Sequence, residues 1–416
     1  MSPSILPPWL LILSSLGMVS SRPAGFPKGI SGAGTGVIVS TAGSTPGSDA
    51  SWAVAIPAGR NNNGATSHAA GLSIAGSRMP PGLKVKVESR PPPGNENPVY
   101  PARFRSILFH MSEKPRVAIL GVTGFIGRGL PALLASQGFA CTGISRSGGG
   151  SVPGIDCWQA PDRLDLARHH AVINLAGERI DRRWTAENQR RFHESRVGVT
   201  RRLVAGIHAL PADARPKVLV NTSAVGIYGD RGDEILTENA APGGGYLAEL
   251  CREWELAATA AETPGLRVVR PRIGVVLGRG GPAFEKLRLV FKSGLAGRLG
   301  SGRQWMPWIH LDDLRAALVH AVVSESLTGA ANCAAPNPEA NRDFTRKFAA
   351  AVHRPALLPV PGFALKLALG GFGGALLASQ RAVPAVLEAD GFRFRFPTLE
   401  SALADLLGSG GDHRSP

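Results

Sequence analysis

Gly121, Gly124 and Gly127 stand three apart in the stretch Gly121-Val122-Thr123-Gly124-Phe125-Ile126-Gly127, directly after the apolar run Val117–Leu120. A strand, a glycine turn and then a helical pattern is the arrangement an anionic ligand needs. The first glycine permits a tight turn, the second lets backbone approach a pyrophosphate, and the third lets the helix pack closely on the sheet. The unpaired N–H groups of the helix start then face the negative charge. The spacing is G-x-x-G-x-x-G and departs from the commoner G-x-G-x-x-G, so the strand before and the helix after carry the reading.

The next strand-like run ends in Ile144-Ser145-Arg146-Ser147, at the position where an NAD site places an acid on the ribose 2′-hydroxyl. An arginine stands there, flanked by hydroxyls that can also bond phosphate oxygens. The pattern predicts NADP(H) in preference to NAD(H), with Ser145 and Arg146 at the 2′-phosphate.

Three side chains could move protons or orient a substrate. Ser223 follows the run Lys217–Asn221, Tyr246 opens a helical pattern after Gly243-Gly244-Gly245, and Glu178 follows Asn174-Leu175-Ala176-Gly177. By position Ser223 and Tyr246 resemble the pair that, in ordinary short-chain dehydrogenase/reductases, bonds the substrate oxygen and passes a proton, with a lysine four residues after the tyrosine. A phenol with a pKa near 10 is only about one part in a thousand ionised at pH 7, and bringing it to 7 takes roughly 4 kcal/mol. One helical turn on, where a cation would do this, stands Leu250. Arg252 is about 240° round the helix. Tyr246 is therefore expected as a neutral donor or a packed ring. Glu178, Tyr228 and His310 each have a plainer reading: a loop acid, a structural ring, and a histidine bonded locally beside an aspartate that caps a helix from Leu314. Trp305, Met306 and Trp308 fit a pocket wall and a packed junction equally.

The elements that must position these groups are legible in the hydrophobic pattern. Strand-like runs at Val117–Leu120, Ala140–Ile144, Ala171–Leu175, Lys217–Asn221 and Leu266–Arg270 alternate with helical stretches at Gly127–Ser136, Thr185–Leu210 and Tyr246–Glu262. Such alternation predicts an α/β fold, a doubly wound parallel sheet of the Rossmann kind. It places a nucleotide-binding domain at 111–272 and a smaller α/β substrate region at 273–416.

Residues 1–110 are rich in Pro, Gly, Ala and Ser, hold three acids, and show no sustained periodicity, so they are expected to be a disordered or dispensable extension. The run Trp9–Leu13 has no preceding Lys or Arg and is too short to span a bilayer. A start at Met111 with a cytoplasmic location is expected, and organelle targeting by the extension stays open. Four cysteines without paired spacing argue for free thiols and against a zinc site. The net charge of +15 comes partly from Arg pairs in helical patterns without interleaved aromatics, which reads as solvated helix faces and not a nucleic-acid surface. No membrane partner is expected, and the oligomeric state is not legible.

Leu175-Ala176-Gly177, Arg183-Trp184, Ser195-Arg196, Ser223–Gly229, Arg272–Gly278, Gly300–Trp305, Trp308–Leu314 and Ser379–Pro384 together narrow the reading. Over about 116–408 the chain resembles the atypical short-chain dehydrogenase/reductases called epimerase-family proteins, which end in a small domain of unknown function. The resemblance implies NADP(H) contacts at Gly121, Thr123, Gly124, Phe125, Ile126, Gly127, Ser145, Arg146, Leu175, Ala176, Gly177 and Arg196. It implies an aromatic without the usual lysine, and it names no substrate. Two functions remain: an oxidoreductase or epimerase-like enzyme using Ser223, Tyr246 or Glu178, and a non-catalytic NADPH sensor.

Overall fold

Strands that are apolar on both faces must be covered on both faces, and the core is built accordingly. The computed structural model describes residues 114–408, so the expectations for residues 1–110 lie outside it. The central strands are β1 (Arg116–Leu120), β2 (Ala140–Ile144), β3 (Cys157–Gln159), β4 (His169–Asn174), β5 (Val218–Asn221), β6 (Arg267–Ile273) and β7 (Gly329–Cys333). They form one parallel sheet in the order β3-β2-β1-β4-β5-β6-β7, and the two-residue strand Ser223–Ala224 pairs onto β6. The chain reverses direction between β1 and β4, the switch point at which open α/β sheets bind ligands.

Alternation along β1 shows the two layers. Val117 and Ile119 pack on one side with α1 (Leu130–Ser136) and, from far along the chain, with Leu314 and Leu318. Ala118 and Leu120 pack on the other, against α3 (Val199–His208) through Leu203, Val204 and Ile207 and against Ala258 of α4 (Tyr246–Thr259). The stretch expected as one helix over Thr185–Leu210 is α2 (Ala186–His193), capped by Thr185, then a wide π turn at Glu194–Gly198, then α3. The helix expected from Gly127 opens as a 3-10 turn at Gly127–Gly129 and becomes α at Leu130, since its first turn holds two glycines with no side chain to stiffen it.

Part of the chain beyond residue 272 returns to the sheet. It supplies β7 and the helix that carries Leu314 and Leu318, while α5 (Pro282–Lys292) joins a second core of Phe284, Phe291, Trp308, Phe344, Phe348 and Leu403. That helix, α6 (Leu311–Val323), begins one residue after His310, whose ring Nδ1 accepts from the Asp312 N–H. His310 is thus the cap itself, which corrects the expected aspartate cap. Asp313 is buried and accepts from the Arg395 and Phe396 N–H groups, tying the C-terminal segment down.

Candidate functional site

Leu120, Asn174 and Asn221 are register partners on β1, β4 and β5, so the residues that follow them leave the same edge of the sheet. This brings Gly121–Gly127, Leu175–Gly177 and Ser223 to one end of three adjacent strands. Gly121 has φ +77, a conformation that favours glycine, and a Cβ there would meet the Leu175 carbonyl oxygen at 3.1 Å. A Cβ on Gly127 would stand 2.5 Å from the Gly121 oxygen. Both glycines are required for the turn to close. The N–H groups of Thr123, Phe125 and Ile126 donate to no protein acceptor among the described residues. A tight turn with free donors at a helix start fits a pyrophosphate.

At the end of β2, the Ser145 hydroxyl donates to the Gly149 carbonyl at 2.6 Å and closes its own loop. Arg146 is exposed and has no hydrogen-bond or ion-pair partner among the described residues, so its guanidinium is available to a ligand. At the end of β4, Asn174, Thr200 and Asn221 form a buried polar cluster. Asn174 donates to Asn221 at 2.7 Å and accepts from the Ala176 N–H at 3.1 Å, and Trp254 donates to Thr200 at 3.0 Å. The cluster fixes the backbone from which Leu175, Ala176 and Gly177 project. The π turn swings Arg196 onto that backbone. Its Nη2 donates to the Glu178 carbonyl at 2.9 Å, its guanidinium lies 5.4 Å from the Trp254 ring, and a Cβ on Gly177 would be 3.3 Å from it. Burial pushes the Arg196 pKa down from its usual value, yet the group stays cationic at neutral pH.

The three proposed proton-handling groups are not wired to one another. Ser223 is buried and its hydroxyl donates to the Glu255 carboxylate at 2.7 Å. Glu255 is itself held by Arg272 through two bonds of 2.9 Å, and both side chains are under a tenth exposed. Arg272 also donates to the Tyr228 hydroxyl at 2.9 Å and the Glu238 carbonyl at 3.0 Å, and Tyr228 donates to Asn332 at 2.7 Å. Tyr228 is therefore the structural ring expected. Burial alone would lower the Arg272 pKa, but the bonds to Glu255 outweigh it and hold the guanidinium charged.

Tyr246 opens α4 and directs its hydroxyl to the Gln189 carbonyl at 3.3 Å, with its ring 5.0 Å from Trp184. Burial raises its pKa further, against a pull from Arg196. Leu250, where a lysine would stand, is buried among Phe192, Val197 and Trp254. Glu178 pairs with Arg182 at 3.3 Å on the surface side. Trp308 fills the second core, and Trp305 bonds Asp233 beneath Arg381, so neither is a simple pocket wall.

Sequence reading missed Glu255, Arg272, Asn174 and Thr200 as site residues. Two of them carried a signal. Glu255 is an acid adjoining the buried positions Cys251, Trp254 and Ala258 of α4, and Arg272 is a cation inside the strand RVVRPRI. Each implied the other as a buried partner.

Residues 117–332 match the NAD dependent epimerase/dehydratase family, and residues 360–406 match a domain of unknown function. The chain is 37% identical over 300 residues to a chloroplastic epimerase family protein of Arabidopsis thaliana, spanning 70% of this chain and 86% of that one. Among solved structures it is similar to the human epimerase family protein SDR39U1 determined with NADPH, at 34% identity and a TM-score of 0.65, covering 71% of this chain and all of that one. It is also similar to a nucleoside-diphosphate sugar epimerase from Corynebacterium glutamicum, at 35% identity and a TM-score of 0.57, over 71% of this chain and 58% of that one.

Proposed function

Because this chain belongs to the NAD dependent epimerase/dehydratase family, we propose that it is an NADP(H)-dependent oxidoreductase or epimerase-like enzyme acting on a small molecule. The observation that carries the cofactor half is the unpartnered Arg146 at the β2 end, beside a glycine turn with free N–H donors. The human relative determined with NADPH supports the same assignment. When bound there, the cofactor supplies hydride chemistry, and the protein's work is to bind, orient and manage protons.

The geometry refines the substrate half. Arg272 bonds both oxygens of Glu255, and the single hydroxyl proton of Ser223 is donated to the same group. Ser223 can then only accept from a ligand, and it suits a substrate hydroxyl better than a carbonyl. Tyr246, pointing to Gln189, serves to pack the helix start, and Glu178 is the half-buried acid that directly follows Leu175–Gly177.

The buried Leu250 and the turned-away Tyr246 favour a second reading, an NADPH-binding sensor without turnover. Titration of NADPH and NADH against the wild type and Arg146→Ala tests the shared premise. NADPH should bind about ten- to a hundredfold more tightly, the worth of a charge-assisted bond to the 2′-phosphate, and the substitution should erase most of that margin. An unchanged preference would remove Arg146 from the site. Turnover of a panel of small alcohols with NADP⁺, followed by nicotinamide absorbance, then separates enzyme from sensor.

A further inference from the structure

Arg315 lies on α6, remote in sequence from the glycine turn, and reaches it from behind. Its Nη2 donates to the Phe125 carbonyl at 2.9 Å and its Nε to the Ile126 carbonyl at 3.0 Å. The guanidinium fills the space beside Gly129, where a Cβ would come within 2.5 Å of its central carbon. Its one acidic neighbour among the described residues, Asp312, is 3.8 Å away and half exposed. The side chain is 15% exposed, so its charge is only weakly screened by water.

A trans peptide is planar, with its C=O and N–H pointing in opposite directions. The carbonyl of Phe125 shares a peptide with the N–H of Ile126, and that of Ile126 shares one with the N–H of Gly127. A cation gripping both carbonyls therefore aims both N–H groups out of the opposite side of the turn. It also polarises both peptides and strengthens them as donors.

We infer that Arg315 is a positioning residue for the cofactor pyrophosphate, presetting the Ile126 and Gly127 N–H donors through the peptides it holds. This rests on the reading of the glycine turn as the pyrophosphate site. It gives the part of the chain beyond residue 272 a role in cofactor binding that is exerted through the turn. It also accounts for Gly129, which has neither a positive φ nor a part in the turn: any larger residue would displace the guanidinium.

The test separates the pyrophosphate from the rest of the cofactor. NADPH and adenosine 2′-monophosphate, which carries the adenine and 2′-phosphate but no pyrophosphate, are titrated against wild type, Arg315→Met and Arg315→Lys. Arg315→Met should weaken NADPH at least about tenfold, the loss of two charge-assisted bonds to the turn. Binding of the monophosphate should stay within about twofold of wild type. Arg315→Lys keeps the charge but not the two-pronged geometry, and should fall between. It also serves as the readout if the methionine variant does not fold. Equal losses for both ligands, or no loss for NADPH, would overturn the role of Arg315 while leaving the cofactor site in place. A wild type that binds neither ligand would overturn the site itself.

Discussion

Replacing Arg272 by methionine tests the buried network beneath Ser223. The guanidinium makes two bonds of 2.9 Å to Glu255, one of 2.9 Å to Tyr228 and one of 3.0 Å to the Glu238 carbonyl. Methionine fills similar space and leaves the Glu255 charge without its partner. Removing one member of a buried pair costs about 3–5 kcal/mol, chiefly because the remaining charge is stranded. For a body of this size each kcal/mol moves the melting midpoint by roughly 2–4 °C, so Arg272→Met should melt roughly 6–20 °C lower. The double variant Arg272→Met/Glu255→Leu removes the stranded charge as well, and should regain most of that loss. Thermal denaturation of wild type, both single variants and the double variant closes the cycle. A methionine variant that melts within about 2 °C of wild type, or a double variant no more stable than the worse single one, would show that the pair is not the desolvated unit described here.

Two further substitutions address the helix that carries Tyr246. Tyr246→Phe removes one long hydrogen bond to Gln189 and keeps the ring against Trp184, so it should cost at most about 1 kcal/mol of stability and leave NADPH affinity unchanged. Any turnover should fall less than about tenfold; a thousandfold fall with intact binding would restore Tyr246 as the proton donor. Leu250→Lys places an ammonium among Phe192, Val197 and Trp254 and should cost about 3 kcal/mol or more without creating ordinary activity. A lysine variant as stable as wild type would mean that α4 can expose this position.

The Rossmann half was legible because its signals are local. Val117–Leu120 is apolar at every position, and Gly121, Gly124 and Gly127 follow it in one unbroken stretch. Strand β7 escaped notice because Gly329-Ala330-Ala331-Asn332-Cys333 holds no β-branched or aromatic residue, and only pairing with β6 makes it a strand. Strand β3 is three residues long and carries no alternation to detect. The π turn at Glu194–Gly198 was invisible for a different reason. The helical pattern runs on through it, and only the demand to lay Arg196 on Gly177 distinguishes that turn from the α-helix either side.

The site divides along the same line, and that division explains why the missing lysine could be noticed but not resolved. Cofactor contacts come from backbone and from the residues next to it, so position in the chain nearly fixes them. Proton handling depends on where side chains from distant elements meet. Leu250 announces that no cation stands one turn after Tyr246, but nothing nearby reveals that the hydroxyl of Tyr246 turns to Gln189. Nor does sequence reveal that Ser223 has found a carboxylate of its own on the same helix. Glu255 lies nine residues beyond Tyr246, two and a half turns along α4, and reaches Ser223 only because the helix crosses the end of β5. The helix that carries Leu250 in place of a lysine thus still serves the serine, through an acid and with the opposite polarity. Where a lysine would lower the pKa of a phenol that donates a proton, Glu255 accepts the hydrogen bond of the serine hydroxyl and leaves the serine oxygen free to accept.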